Sequence, residues 1–294
     1  MRRCIVTAFG FTTPPRIAFV IVVAMHPRVN ASMHYFKELK MIIDTHAHLT
    51  DPKFDADREE VLKRARGAGV GKIIEIACET SLWDKALAFA AQSGIYLSFG
   101  IHPHEASKAG ERDFKKLETL LQNEKTVAVG ETGLDYHYDF SPRKIQREVF
   151  LKQLDLAARF NKPVIIHCRS AYEELITMLK NRKPLPKGVI HCYSGTPQEA
   201  KILSDMGFLL GIDGPVTFPK SGKLRQVVSE TDISNLLIET DCPYLAPQKY
   251  RGKRNEPAYV VEVLNEIAKI KNIPYEEAKK ITTENAEKLF NCRE

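Results

Sequence analysis

His46-Ala47-His48 places two imidazoles two residues apart, just beyond the apolar run MIIDT at 41–45. On an extended strand residues i and i+2 point to the same side. Both rings therefore converge at the end of one strand, which is half of a divalent-metal site. His-x-His is common by chance, so the weight lies in its company. Glu131 follows the run TVAVG at 126–130, His167 ends 163–167, His191 ends 187–191 and Asp241 follows 235–240. A lone histidine is more often a satisfied, partly buried side chain than a ligand. Packing does not explain four histidines and two carboxylates at the same ends of five different apolar runs. Six nitrogen and oxygen donors suit two ions better than one. His46, His48 and Asp241 would hold the first and His167 with His191 the second, while Glu131 bridges through its two oxygens. Ions ~3.5–4 Å apart can clamp both oxygens of a phosphoester displacement. A donor set without thiolate is compatible with Mg, Mn, Zn or Co.

Neighbouring residues extend the constellation. Asp44, two residues before His46, is expected to orient one of the rings. Glu239, two residues before Asp241, faces the same way and is expected beneath the metals. Strand alternation turns Cys168, Cys192 and Cys242 toward the helix layer or loops, where they serve as small packing residues. His102-Pro103-His104, Arg169, Tyr193, Ser194 and Arg251 fall close after the same strand ends. Arginine can grip phosphate through two parallel hydrogen bonds, although each arginine taken singly reads as a solvated surface charge.

Eight apolar runs can present these side chains together: 41–45, 72–77, 95–100, 126–130, 163–167, 187–191, 207–212 and 235–240. They are rich in Ile, Val and Leu and near-continuously apolar, as parallel strands buried on both faces are. Helical spacing marks 57–68, 81–93, 111–122, 143–160, 171–181 and 196–206, and a terminal pair at 256–270 and 274–290. Ser141 reads as the cap of the fourth helix, with Pro142 just inside it. Eight strands alternating with helices over about 250 residues match a (β/α)8 TIM barrel, whose active sites lie at the carboxyl ends of the strands. The main alternative, a doubly wound open sheet, lacks its Gly-x-Gly-x-x-Gly after the first strand, and there is no P-loop.

The chain has 294 residues, 44% hydrophobic and 27% charged, the balance of a soluble globular protein. Its net charge of +6 is concentrated in residues 1–40, where six basic side chains face Glu38 alone, leaving +1 for residues 41–294. A nearly neutral body has no long-range field for an anionic polymer, so any grip on phosphate must be local. Residues 1–40 are expected to be a poorly ordered extension or the product of an upstream start codon, with the true start at Met33 or Met41. Their apolar run, Ile17 to Met25, is shorter than the ~20 residues that span a bilayer, and no clean cleavage site follows it. The six cysteines are widely spaced without a C-x-x-C pair, which argues against a zinc knuckle and a disulfide framework and suits a reducing cytoplasm.

The series DTHAHL, GIHPHE, GETGLDY, VIIHCRSA, HCYSG, ETDCPYLAP and RGKRNEP resembles the TatD family of metal-dependent deoxyribonucleases. All seven motifs occur in order over residues 41–291; residues 1–40 lie outside the resemblance. The resemblance implies a TIM-barrel hydrolase of the amidohydrolase-like superfamily and the metal assignment given above. It further implies that His102 and Arg169 help hold a phosphate, and that the substrate is DNA, with 3′→5′ exonuclease action on single strands described for some members. The expected reaction is phosphodiester hydrolysis, with Asp241 and Glu131 in catalytic roles and Asp241 taking the proton of the attacking water. Two rivals remain open: an amide or nucleobase hydrolase on the same barrel, and a non-catalytic metal-binding barrel. Against the first, Glu131 stands where many binuclear amidohydrolases carry a carboxylated lysine.

Overall fold

The computed structural model describes residues 41–292; the expectations for residues 1–40 lie outside them. Eight strands follow one another round a single sheet in chain order: β1 Ile42–Ala47, β2 Val70–Ala77, β3 Ile95–Phe99, β4 Thr126–Asp135, β5 Val164–Arg169, β6 Gly188–Ile190, β7 Phe208–Ile212 and β8 Leu236–Ile238. Every adjacent pair is parallel. The last strand meets the first just beyond its own end. Asp241 N donates to His46 O at 2.9 Å, His48 N donates to Cys242 O at 2.8 Å, and Ala47 bridges Cys242 in parallel. The seam of the barrel is thus closed by the backbone of three candidate ligands, His46, His48 and Asp241, and of their neighbours Ala47 and Cys242.

Parallel neighbours require crossover connections, and helices supply them. They are α1 Arg58–Gly67, α2 Trp83–Phe89, α3 Glu111–Leu120, α4 Arg143–Arg159, α5 Tyr172–Lys180, α6 Pro197–Asp205, α7 Gly222–Glu230 and α8 Val260–Lys271, with a ninth, α9 Tyr275–Phe290, after the eight-fold alternation. Helix α6 begins with a capping box, Thr196 Oγ1 accepting from Glu199 N while Glu199 Oε2 accepts from Thr196 N. The expected cap of α4 is not formed. Ser141 instead donates to His104 O at 2.9 Å and accepts from Ser107 N, tying two rim loops together. Helix α7 has no counterpart among the sequence expectations. It has Gly222 at its start, adjacent Val227 and Val228 and no side-chain cap, so its propensity is low. Burial of Leu224, Val227 and Val228 holds it in place.

Two apolar layers support the sheet. The outer one lies between strands and helices and contains Ile73, Leu97, Phe99, Val129, Leu134, Ile166 and Leu210. The inner one fills the barrel with Ile43, Ile74, Ile76, Val127, Ala128, Ile165, Val189 and Leu237, joined by Ala286, Phe290 and Cys292 from the end of α9. Residues 286–292 therefore plug the amino-terminal mouth, and polar side chains collect at the other end. Among the described residues no helix is long and apolar enough to cross a membrane.

Candidate metal centre

The carboxyl end of the barrel gathers all six residues singled out by spacing. A register shift in β1 between Asp44 and Ala47 turns His46 and His48 to one another, with 3.2 Å between their Nε2 atoms. The His48 Nδ1 atom lies 3.0 Å from Ile76 O, which leaves Nε2 facing inward. His46 stacks face to face on His191 at 3.5 Å between centroids. His191 Nδ1 lies 2.9 Å from Glu239 Oε1, so its Nε2 is likewise aimed into the site.

Glu131 occupies the centre. One oxygen, Oε2, lies 3.5 Å from His46 Nε2 and 3.9 Å from His48 Nε2. The other, Oε1, lies 2.8 Å from His167 Nδ1, 3.5 Å from His102 Nε2 and 3.6 Å from His191 Nε2. Asp241 Oδ1 completes the first group at 3.4 Å from His48 Nε2 and 3.9 Å from His46 Nε2, and reaches His191 Nε2 at 4.0 Å. In a tetrahedral site with ligand bonds near ~2.1 Å, the donors stand about 3.4 Å apart. The group His46, His48, Glu131 and Asp241 brackets that spacing, and it contains only imidazole and carboxylate donors. His46–His48–Glu131, His102–Glu131–His167 and His191–Cys192–Asp241 are each close enough to hold an ion.

Tautomers separate ligands from donors among the histidines. His104 N donates to His102 Nδ1 at 3.1 Å, and burial beside His167 and His104 lowers the His102 pKa to about 4. The ring is neutral with Nδ1 as acceptor, so Nε2 carries the proton. A protonated ring nitrogen donates and does not ligate. Burial also opposes the charged forms of His48 and His191. The hydrogen bond to Asp241 and the charges of Asp241, Glu131 and Glu75 nevertheless raise His48 to about 9. The charges of Glu239 and Glu131 raise His191 to about 10. Burial pushes Glu131 upward, but the surrounding imidazoles outweigh it and hold the carboxyl well below its ordinary range.

Several neighbours stand elsewhere than the sequence suggested. Asp44 does not meet a ring: it accepts from Thr240 N at 2.9 Å and Thr240 Oγ1 at 2.7 Å, tying β1 to the end of β8. His46 Nδ1 is buried without a partner. Cys192 does not turn away, because its positive φ of 45° breaks the alternation. Its thiol lies 3.2 Å from Asp213 Oδ2, and it lines the cleft above the cluster. Cys242 is wholly buried in the outer core, as expected of a packing residue, whereas Cys168, though buried, also reaches the cleft wall. Tyr193 is buried, with its hydroxyl donating to Thr196 O, while Ser194 and Arg169 line the cleft. Among the described residues Arg169 pairs with no carboxylate; its guanidinium lies 4.8 Å from the centroid of Tyr138.

Sequence reading missed Asp135 and Asp213, and placed His104 near the rim without a role of its own. Strand β4 does not stop at Gly130 but continues to Asp135, with a register shift between Gly130 and Thr132. Gly133 permits this close passage, since a Cβ there would fall on the His167 carbonyl. Asp135 Oδ2 receives both His104 Nε2 at 2.9 Å and His167 Nε2 at 3.0 Å. Alternation along Glu131, Gly133 and Asp135 was the available signal. Asp213 is fully buried, and desolvation with the charges of Glu239 and Asp241 lifts it to about 8.

Known proteins resemble this chain over nearly all of the described residues. The family model described as TatD related DNase matches residues 43–291. An uncharacterized metal-dependent hydrolase, YabD of Bacillus subtilis, is 43% identical over 85% of this chain and 99% of its own length. A protein named 3′-5′ ssDNA/RNA exonuclease TatD, from Cronobacter turicensis, is 35% identical over 85% of this chain and 97% of its own. Among solved structures, the TatD homologue YjjV of Escherichia coli superimposes with a TM-score of 0.81 at 34% identity, covering 86% of this chain and 98% of that one.

Proposed function

We propose that this chain, which belongs to the TatD-related DNase family, hydrolyses phosphodiester bonds of DNA from the 3′ ends of single strands, using two divalent ions. Membership makes it a metal-dependent hydrolase acting on ester bonds; the nucleic-acid substrate, the polarity and the number of ions are our reading. The observation that carries it is the division of Glu131, one oxygen toward His46 and His48 and the other toward His102, His167 and His191. A bridging carboxylate between two ligand groups requires that division. His46, His48, Glu131 and Asp241 would hold one ion, and Glu131, His167 and His191 the other. When bound, such ions supply Lewis acidity toward the phosphoryl group and toward water.

The chain's own residues do the rest. Asp241, pressed against His48, is held as a carboxylate and takes the proton of the attacking water. His102 donates its Nε2 proton toward a phosphate oxygen; the tautomer set by His104 N suits it to that role and not to ligation. Arg169, which pairs with no carboxylate among the described residues, offers its fork to the accumulating negative charge. Glu239 holds the His191 ring, and Asp135 holds the His167 ring. The cleft above them, about 680 Å³, lies at the bottom of the rim loops. A flexible strand end enters such a space more readily than a rigid duplex does.

The test is a metal-by-substrate panel on the chelated protein, with Mg, Mn, Co and Zn each restored separately. The substrates are 5′-labelled single-stranded DNA, circular single strands, duplex DNA, RNA and nucleoside amides. We expect no turnover after chelation, recovery with an added ion, and a ladder shortening one nucleotide at a time. Full activity in excess chelator overturns the metal mechanism. Cleavage of circles at a comparable rate overturns the exonucleolytic mode, and turnover of amides alone overturns the phosphodiester reading.

A further inference from the structure

Five large hydrophobic side chains are exposed among the described residues, and four of them sit on two loops at the mouth of the cleft. They are Tyr138 (47%) and Phe140 (66%) after β4, and Tyr244 (44%) and Leu245 (39%) after β8; the fifth is Met41 at the opposite end. Scattered exposed apolar groups need no explanation, but a cluster beside a site does. The β4 pair is also ordered. Tyr138 and Phe140 stack on each other at 5.3 Å with 20° between planes. His104 stands edge-on to both, at 5.5 and 4.8 Å, and its Nε2 bonds Asp135, which also holds His167.

The loop that presents the pair is held in place from beneath. Asp135 Oδ1 accepts from the backbone of His137 and Tyr138 at 3.0 and 2.9 Å. Gln146 accepts from Asp135 N and donates to Asp135 O and Ser141 O. Arg143 pairs with Asp139 and lies over the Tyr136 ring. The two rings are therefore displayed to water by a fixed backbone, and Arg169 places a cation over Tyr138 next to the expected phosphate position.

We infer that Tyr138 and Phe140, with Arg169, form a stacking platform for an unpaired nucleobase of the strand whose phosphate reaches the metal centre. This rests on the phosphodiesterase reading above. Flat rings beside a guanidinium suit any base, because every base has a π-face; stacking contributes ~1–3 kcal/mol per base. A paired base has both faces covered by its neighbours in the helix. The platform thus supplies a local selection for single strands in a body with almost no net charge to hold a backbone.

The test pairs two substrates with four proteins. Single-stranded oligonucleotides ending in thymidine or in an abasic residue are compared on the wild type, Phe140→Ala, Tyr138→Leu and Tyr138→Trp. Both binding, by fluorescence anisotropy in the chelated protein, and turnover, in the metal-loaded protein, are measured. The wild type should prefer the thymidine end by about 5- to 150-fold, the equivalent of that stacking energy. The ratio should fall toward one in Phe140→Ala and Tyr138→Leu and be kept in Tyr138→Trp. A wild-type ratio near one, or a ratio unchanged in Phe140→Ala and Tyr138→Leu, overturns the platform. A binding preference with no turnover of any nucleic acid would instead leave the platform standing and overturn the phosphodiesterase reading.

Discussion

The two mouths of this barrel are made by the same eight strands and hold opposite chemistry. At the amino-terminal mouth Ile43, Ile74, Val127, Ile165, Val189 and Leu237 meet Phe290 and Ala286 of α9, all at most 7% exposed. At the carboxyl mouth, a few residues further along those strands, His46, Glu131, His191, Glu239 and Asp241 are all at most 9% exposed. Apolar burial stabilises by about 25 cal/mol per Å², whereas buried ionisable groups cost free energy unless paired. One end therefore holds the barrel closed, and the other is a polar cluster that the rest of the fold keeps in place. The difference teaches that stability and chemistry should be separable by mutation.

Asp241→Asn should break the upper end alone. The amide keeps the shape and one ligating oxygen but cannot take a proton, so turnover should fall ~10²–10⁴-fold while metal content and melting temperature change little. Elemental analysis beside rates decides it, and unchanged turnover contradicts the assignment. Phe290→Ala should break only the lower end. Phe290 is 2% exposed in the inner core, and its truncation should cost ~3–5 kcal/mol of stability. The rate per folded molecule should stay as it was. Denaturant unfolding read together with kcat would reveal a loss in both, which would mean the two mouths are not independent.

Glu239→Gln sharpens the comparison at its boundary. Glu239 touches no expected ion but bonds His191 Nδ1 and Cys192 N. Losing that carboxylate should weaken metal affinity ~10–100-fold, measured by competition with a chelating dye. Unaltered affinity would make Glu239 a purely structural acid.

How much of this was legible follows from the same division. The apolar strands and the alternation of element types were visible because parallel strands buried on both faces leave long Ile/Val/Leu runs. The six candidate ligands were visible because each ends or closely follows such a run. What was hidden depends on backbone irregularity. The shift in β1 re-aims His46 and leaves Asp44 against Thr240. The left-handed backbone at Cys192 turns its thiol to Asp213. The prolongation of β4 brings Asp135 under two histidines. Helix α7 was hidden for another reason: Gly222, Val227 and Val228 carry little local preference, and packing alone decides their state.

The smallest expected effect is a difference in alkaline stability between the chelated and the metal-loaded protein. His48 and His191 are raised to about 9 and about 10 by their carboxylate neighbours, against ~6.5 for an unfolded histidine. A raised pKa contributes stability that is fully present below the unfolded value and is lost as pH rises through the folded one. Glu131 and Asp241 are held below their ordinary range; their contribution is present above the unfolded carboxylate value and is lost as pH falls. The chelated protein should therefore be most stable from about pH 5 to 6.5 and lose several degrees of melting temperature between there and pH 9.5. Ions at the centre take the place of those protons, so binding at pH 7 should release them and tighten with pH. The loaded protein should then lack this part of the alkaline loss, while lysine and tyrosine titration elsewhere affects both forms alike. Thermal unfolding of the two forms at pH 7 and 9.5, with calorimetry in buffers of different ionisation enthalpy, measures both quantities. An equal alkaline drop in the two forms, with no proton release on loading, would show that the ions do not displace protons from His48 and His191.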